Sequence, residues 1–167
     1  MTSFRRILVP VDFSKHSERA VHVAAELARR YEGSLDLVHV YDPIAYPLPD
    51  GYVMFTRQQL DELFAELDRQ LAAMKQLASA DGVSRVHTHL RQGSCAADIC
   101  EFAGKGAFDL IVMGTHGRSG LSHLIMGSVA ERVLRTAPCP VLTVKAEKAA
   151  SPSKGEKAAA AQPGCCS

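Results

Sequence analysis

The chain has 167 residues, 47% of them hydrophobic and 22% charged, and a formal net charge of +1. That length supports one domain with a full core and is short for two. The near-neutral balance excludes a broad electrostatic grip on nucleic acid, and no apolar run reaches the roughly 18 residues of a membrane span.

The start, MTSFRRILVPVDFS, is basic, but Pro10 and Asp12 break its apolar part too early for a signal peptide. A cytoplasmic location is therefore the expectation. RRILVPVD, residues 5–12, is a short run rich in branched residues and reads as a buried strand. Ser14 can cap a following helix, with Glu18 near its positive end. Ala20, Ala24, Leu27, Ala28 and Tyr31 recur at helical spacing and give that helix an inward face. Gly33 ends it, and SLDLVHVY, residues 34–41, reads as a second strand.

Three prolines and a glycine make residues 42–52 a loop. A long amphipathic helix is expected over Arg57–Ala80, with Leu60, Leu63, Phe64, Leu67, Leu71, Met74 and Leu77 as its buried stripe and Asp81-Gly82 as its stop. Residues 84–92 alternate as a third strand, and Ser94 caps a helix running to Gly104 with Ile99, Phe102 and Ala103 inward. FDLIVMG, residues 108–114, is the most apolar strand and is expected at the centre of the sheet. Residues 128–137 form a helix that Pro138 and Pro140 break, and VLTVK, residues 141–145, is the last strand. Strands alternating with helices argue for a parallel sheet covered on both faces. From residue 147 to 167 large apolar residues almost vanish, so a domain over 1–146 with a flexible low-complexity tail is expected.

Five cysteines, Cys95, Cys100, Cys139, Cys165 and Cys166, form no C-x-x-C pair and no zinc-finger spacing. They read as reduced thiols of a cytosolic protein, with Cys165-Cys166 as a redox or metal handle the alternative. His87 and His89 alternate on a strand and share a face, a metal pair only if a third ligand exists. His39 reads as packing. His116 and His123 flank a glycine-rich loop and read as solvated side chains rather than catalysts.

That loop, GTHGRSGLSHLIMGS, residues 114–128, carries the chemistry. Gly114 closes a strand and Gly127-Ser128 opens a helix, so these glycines lie at the carboxyl ends of the strands, where doubly wound sheets bind ligands. Free N–H groups and the positive end of the helix dipole suit a phosphate there. Ser128 can cap its helix and still offer a hydroxyl to the same anion. The spacing matches neither a Walker loop nor a dinucleotide fingerprint.

The pattern G-x2-G-x9-G-[ST], here Gly114, Gly117, Gly127 and Ser128, resembles the nucleotide signature of the ATP-binding universal stress proteins. ILVPVDFS, DLIVMGTHGRSG and GSVAERVLRTAPCPVLTV are similar to that family's first strand, fourth strand, and last helix and strand, so the resemblance covers about residues 4–145. It implies an α/β fold: a doubly wound, five-stranded parallel sheet of order 3-2-1-4-5, Rossmann-like, with helices on both faces. ATP, ADP or AMP, with or without Mg²⁺, would lie across the switch point between strands 1 and 4. The resemblance places Pro10, Val11 and Asp12 at the adenosine end, the main chain of Val40 at the adenine edge, and Met113-Gly114 near the ribose. Gly117, Arg118, Gly127, Ser128 and Val129 match its phosphate positions. It also implies a homodimer through residues 141–145; regulatory protein partners of unknown identity that read nucleotide occupancy are a separate expectation.

For Asp12 the alternative is a plain turn cap, and for Arg118 a plain surface cation. Fast phosphoryl transfer requires metal ligands, a group positioning the nucleophile, and cations on the developing charge. The loop offers backbone donors and one arginine, so no catalytic residue and no metal ligand is assigned. A nucleotide-binding regulator of the stress response is the expected function. The alternatives are a slow ATPase or nucleotide-transferring enzyme, and a stress scaffold without nucleotide.

Overall fold

Ile7, Leu8 and Val9 have no solvent exposure, and they form the middle of the first strand, β1 (Arg6–Pro10). In the computed structural model, which describes residues 4–41, 47–48, 51–52, 56–115 and 126–145, every other element is arranged around that strand. Helix α1 (Lys15–Arg30) leads to β2 (Ser34–Tyr41), and α2 (Arg57–Ala80) to β5 (Val86–Gln92). Then follow α3 (Cys95–Lys105), β6 (Leu110–Gly114), α4 (Ser128–Thr136) and β7 (Val141–Val144).

Five parallel strands pair in the order β5-β2-β1-β6-β7. The expected loop of residues 42–52 contains a two-stranded antiparallel hairpin, β3 (Pro47–Leu48) and β4 (Gly51–Tyr52), which pairs only with itself. Leaving that hairpin aside, the chain order across the sheet is 3-2-1-4-5, as expected. Strand period sorts the core into two layers. Ile7, Val9, Leu35, Leu37, Leu110 and Val112 face α1 and α2, whereas Leu8, Val38, Val40, Ile111 and Met113 face α3 and α4. Full burial of such side chains contributes about 1.5–3 kcal/mol each. α1 lies close to the sheet because its buried positions are small: Ser17, Ala20, Ala24, Ala25 and Ala28 beside Val21.

Three expectations are corrected. Apolar content alone pointed to residues 108–114 for the centre of the sheet, but the centre is β1, as the 3-2-1-4-5 order implied, and β6 lies between β1 and β7. Both strands are buried on both faces, so apolar content could not rank them. Tyr31, placed inward by helical spacing, is 37% exposed and meets Phe4 edge-on at a centroid distance of 5.3 Å. On α2 the stripe is buried at Leu67, Leu71 and Met74, but Leu63 is exposed.

Candidate functional site

β1 stops at Pro10, opposite Val38 of β2, while β2 continues to Tyr41, paired only on its β5 side. β1 and β6 share register only at Ile7–Leu110 and Leu8–Ile111. The sheet therefore opens at the carboxyl ends of these strands, and a cavity of about 190 Å³ sits in the opening. Of the eleven residues singled out above, Pro10, Val11, Asp12, Val40, Met113, Gly114, Gly127, Ser128 and Val129 line it. Gly117 and Arg118 lie outside the described residues, as do His116, His123, Cys165, Cys166 and residues 146–167.

Its walls are apolar on the α3 and α4 side, where Val38, Ile99, Met113 and Ala130 are buried. Polar groups gather at the two ends. At one end the turn after β1 holds Asp12, whose Oδ1 accepts from the Ser14 N–H at 3.1 Å and the Ser14 hydroxyl at 2.6 Å. The aspartate thus does cap the following turn, with one oxygen, and Oδ2 of the same cavity-lining carboxylate has no partner among the described residues. Beside it the His39 ring donates through Nδ1 to the Val11 carbonyl at 2.7 Å and stacks on Phe13, centroids 4.4 Å apart. His39 is therefore tied to the cavity wall as well as to the packing.

The other end is the start of α4. Its cap position is Gly127, with no side-chain capping bond, so the expectation that Ser128 caps the helix is corrected: Ser128 is the first helical residue. The Gly127 N–H is already donated, to the Thr115 carbonyl at 2.8 Å. The N–H groups of Ser128, Val129 and Ala130 then remain as the uncapped donors of the first turn. Thr115 is buried, and its own N–H donates to the Val144 carbonyl at 3.0 Å, so it joins the mouth of the cavity to β7.

A Cβ on Gly114 would stand 3.0 Å from the Cβ of His16 and 3.1 Å from its carbonyl carbon. Glycine there lets the first turn of α1 close against the end of β6. Sequence reasoning missed Ser17, Val38, Cys95, Ile99, Thr115 and Ala130 as lining residues. The usable signal was positional, since Ser17, Cys95 and Ala130 lie in the first turns of helices that begin at this rim. Cys95 directs its Sγ at the Val40 carbonyl, 3.6 Å away.

The remaining candidates lie elsewhere. His89 Nε2 is 2.7 Å from Oδ1 of buried Asp36, and the ring meets Phe102 at 4.8 Å. Its work is to partner a carboxylate that would be costly to bury alone. Among the described residues, no three His, Cys, Asp or Glu side chains are placed to hold a metal ion. Cys95, Cys100 and Cys139 form no disulfide among the described residues; burial, with Asp109 and Cys100 nearby, pushes the Cys139 thiol above its ordinary pKa. No helix among the described residues is long and apolar enough to cross a membrane.

Comparison with known proteins agrees with this architecture. The model of the universal stress protein family matches residues 3–145. A universal stress protein of Methanocaldococcus jannaschii is 36% identical over 149 residues, covering 87% of this chain and 84% of the relative. Among solved structures, the universal stress protein UspA of Lactobacillus plantarum is 28% identical with a TM-score of 0.67, covering 86% of this chain and 99% of its own. That of Archaeoglobus fulgidus in complex with dAMP is 27% identical with a TM-score of 0.62, covering 86% and 98%. The chain belongs to the universal stress protein family.

Proposed function

We propose that the chain binds an adenine nucleotide, ATP or its products ADP and AMP, in the cavity at the sheet opening and acts as a cytoplasmic regulator. The observation that carries this reading is the start of α4: a helix terminus with no capping side chain, lining the same cavity as the carboxylate of Asp12. Three uncapped N–H groups and the positive dipole end suit phosphate oxygens. The free oxygen of Asp12 suits a ribose hydroxyl, and the unpaired edge of β2 at Val40 suits the hydrogen-bonding edge of adenine. Apolar Val38, Ile99 and Met113 suit the flat base. The solved relative in complex with dAMP supports the same class of ligand.

Gly117 and Arg118 would complete the phosphate end, with Mg²⁺ as a companion of the phosphates. No Lys or Arg side chain lines the cavity among the described residues, and Asp12 is half committed to Ser14. Such a site holds nucleotide without the equipment for fast transfer, so hydrolysis, if any, is slow. Occupancy is then read by protein partners through residues 115–126 and through a homodimer formed along β7.

The test is to denature freshly purified protein and identify the released nucleotide by mass, with Gly127→Val as control. Gly127 has φ −60° and ψ 144°, a conformation open to any residue, so the variant should fold while its side chain blocks the approach to the α4 N–H groups. Adenine nucleotide from the wild type and none from the variant is expected. A wild type that is empty and shows no thermal shift with millimolar ATP would sink the proposal in favour of a scaffold.

A further inference from the structure

The opposite end of the sheet carries a second hollow. After α1 the chain turns through Glu32 and Gly33 into β2, and after α2 it turns through residues 81–85 into β5. Because β2 and β5 are neighbours, these two turns lie side by side, joined where the Leu35 N–H donates to the Arg85 carbonyl at 2.9 Å. Between them is a groove of about 240 Å³, floored by buried Ala28 and Val83. Arg29, Glu32, Ser84 and Arg85 form its sides.

Each arginine is pinned through a single nitrogen. Arg29 Nη1 donates to the Asp81 carbonyl at 3.1 Å, and Arg85 Nη2 to the Glu32 carbonyl at 2.5 Å. A guanidinium has five N–H donors in a rigid fork, so most of both forks is unspent. Among the described residues neither meets a carboxylate: the Asp81 carboxylate is taken by His22 at 2.6 Å, and the Glu32 carboxylate pairs with neither arginine. The main-chain N–H groups of Ser84 and Arg85 also donate to no described backbone carbonyl. Capping of helix-end carbonyls explains one donor on each arginine. It does not explain why two arginines with no carboxylate partner among the described residues line one hollow. Among the residues that line the groove, two positive charges stand against the one carboxylate of Glu32, and the pinned side chains have little ordering left to pay on binding.

We propose that this groove is a binding site for a small oxyanion, a phosphoryl or carboxylate group held between the forks of Arg29 and Arg85. It is separate from the nucleotide cavity, at the amino ends of the strands rather than their carboxyl ends, and does not depend on it.

The test is a titration of the ¹⁵N-labelled full-length protein with inorganic phosphate, and separately with acetate, at constant ionic strength set by chloride. Saturable shifts at the Gly82, Ser84 and Arg85 amides are expected. Saturation by phosphate alone assigns a phosphoryl ligand, and saturation by both assigns oxyanions in general. Phosphate at the other end of the sheet would move the Ser128 and Val129 amides instead. Arg29→Gln and Arg85→Gln should each weaken binding about tenfold, as expected for loss of hydrogen bonds to a charged group. Glu32→Gln touches neither pinning bond, which uses the main-chain carbonyl, and should strengthen binding about threefold by removing a like charge. Non-saturating shifts equal to those with chloride, or binding unchanged by Glu32→Gln and by both arginine variants, would overturn the site.

Discussion

Phe13 has φ +63°, in the left-handed region where a bulky side chain costs about 1–2 kcal/mol. The cost is met locally, since that backbone turns the ring onto His39 while Asp12 secures Ser14 at the next step. Phe13→Ala loses the ring and keeps the strained backbone; Phe13→Gly loses the ring and releases the strain. The alanine variant should therefore be the less stable by about 1 kcal/mol in urea unfolding, the reverse of the order in a helix. Equal midpoints would mean that the turn relaxes once the ring is gone. Of the motif glycines, Gly114 is needed for the approach of His16, whereas the backbone of Gly127 is open to any residue.

Helix starts in this molecule fall into distinct kinds. At α1 the Ser14 side chain accepts from the Ser17 N–H, and at α2 Thr56 and Gln59 form a reciprocal capping box. α4 starts at a glycine and spends nothing on itself, at a cost of only a few tenths of a kcal/mol against a serine cap. Its first residue offers a clean separation of groups. Proline fits the first helical position, and the extended backbone of Gly127 is what a residue before proline adopts. Ser128→Pro removes an N–H and the hydroxyl, whereas Ser128→Ala removes the hydroxyl alone. Both should unfold within about 0.5 kcal/mol of the wild type. ATP affinity measured by calorimetry should fall about tenfold in the proline variant and less in the alanine one. A proline variant that binds like wild type would show that the phosphate lies elsewhere.

At the scale of the whole molecule, the sheet has a cavity at one end, a groove lined by two arginines at the other, and β7 as an edge. Leu142 on that strand is 39% exposed and Leu134 on α4 is 41% exposed. An edge strand with an exposed leucine is a template for pairing with another chain. The proposed dimer predicts that sedimentation gives twice the chain mass, and that Leu142→Glu shifts it toward monomer with the unfolding midpoint retained. A wild-type monomer, or a variant that stays dimeric, would exclude that interface. Thr115, whose N–H donates to Val144 and whose carbonyl accepts from Gly127, joins this edge to the cavity, as do Met113 and Gly114 through their pairing with β7.

Periodicity was enough for the regular elements other than the short β3–β4 hairpin. β2 at 34–41 and α2 over Arg57–Ala80 fall where the apolar spacing, Gly33 and the Asp81-Gly82 stop put them, because helix and strand period are local properties of the chain. The spacing of Gly114, Gly127 and Ser128 made one end of the cavity legible for the same reason: they close one element and open the next. What lies beside what was decided by the tertiary structure. Whether β1 or β6 holds the centre, that His89 serves Asp36, that Ser17, Cys95 and Thr115 reach the cavity, and that Arg29 and Arg85 line one groove all depend on contacts between distant segments. Strand order sets those contacts, and the alternation of apolar residues is the same for any order that buries both faces.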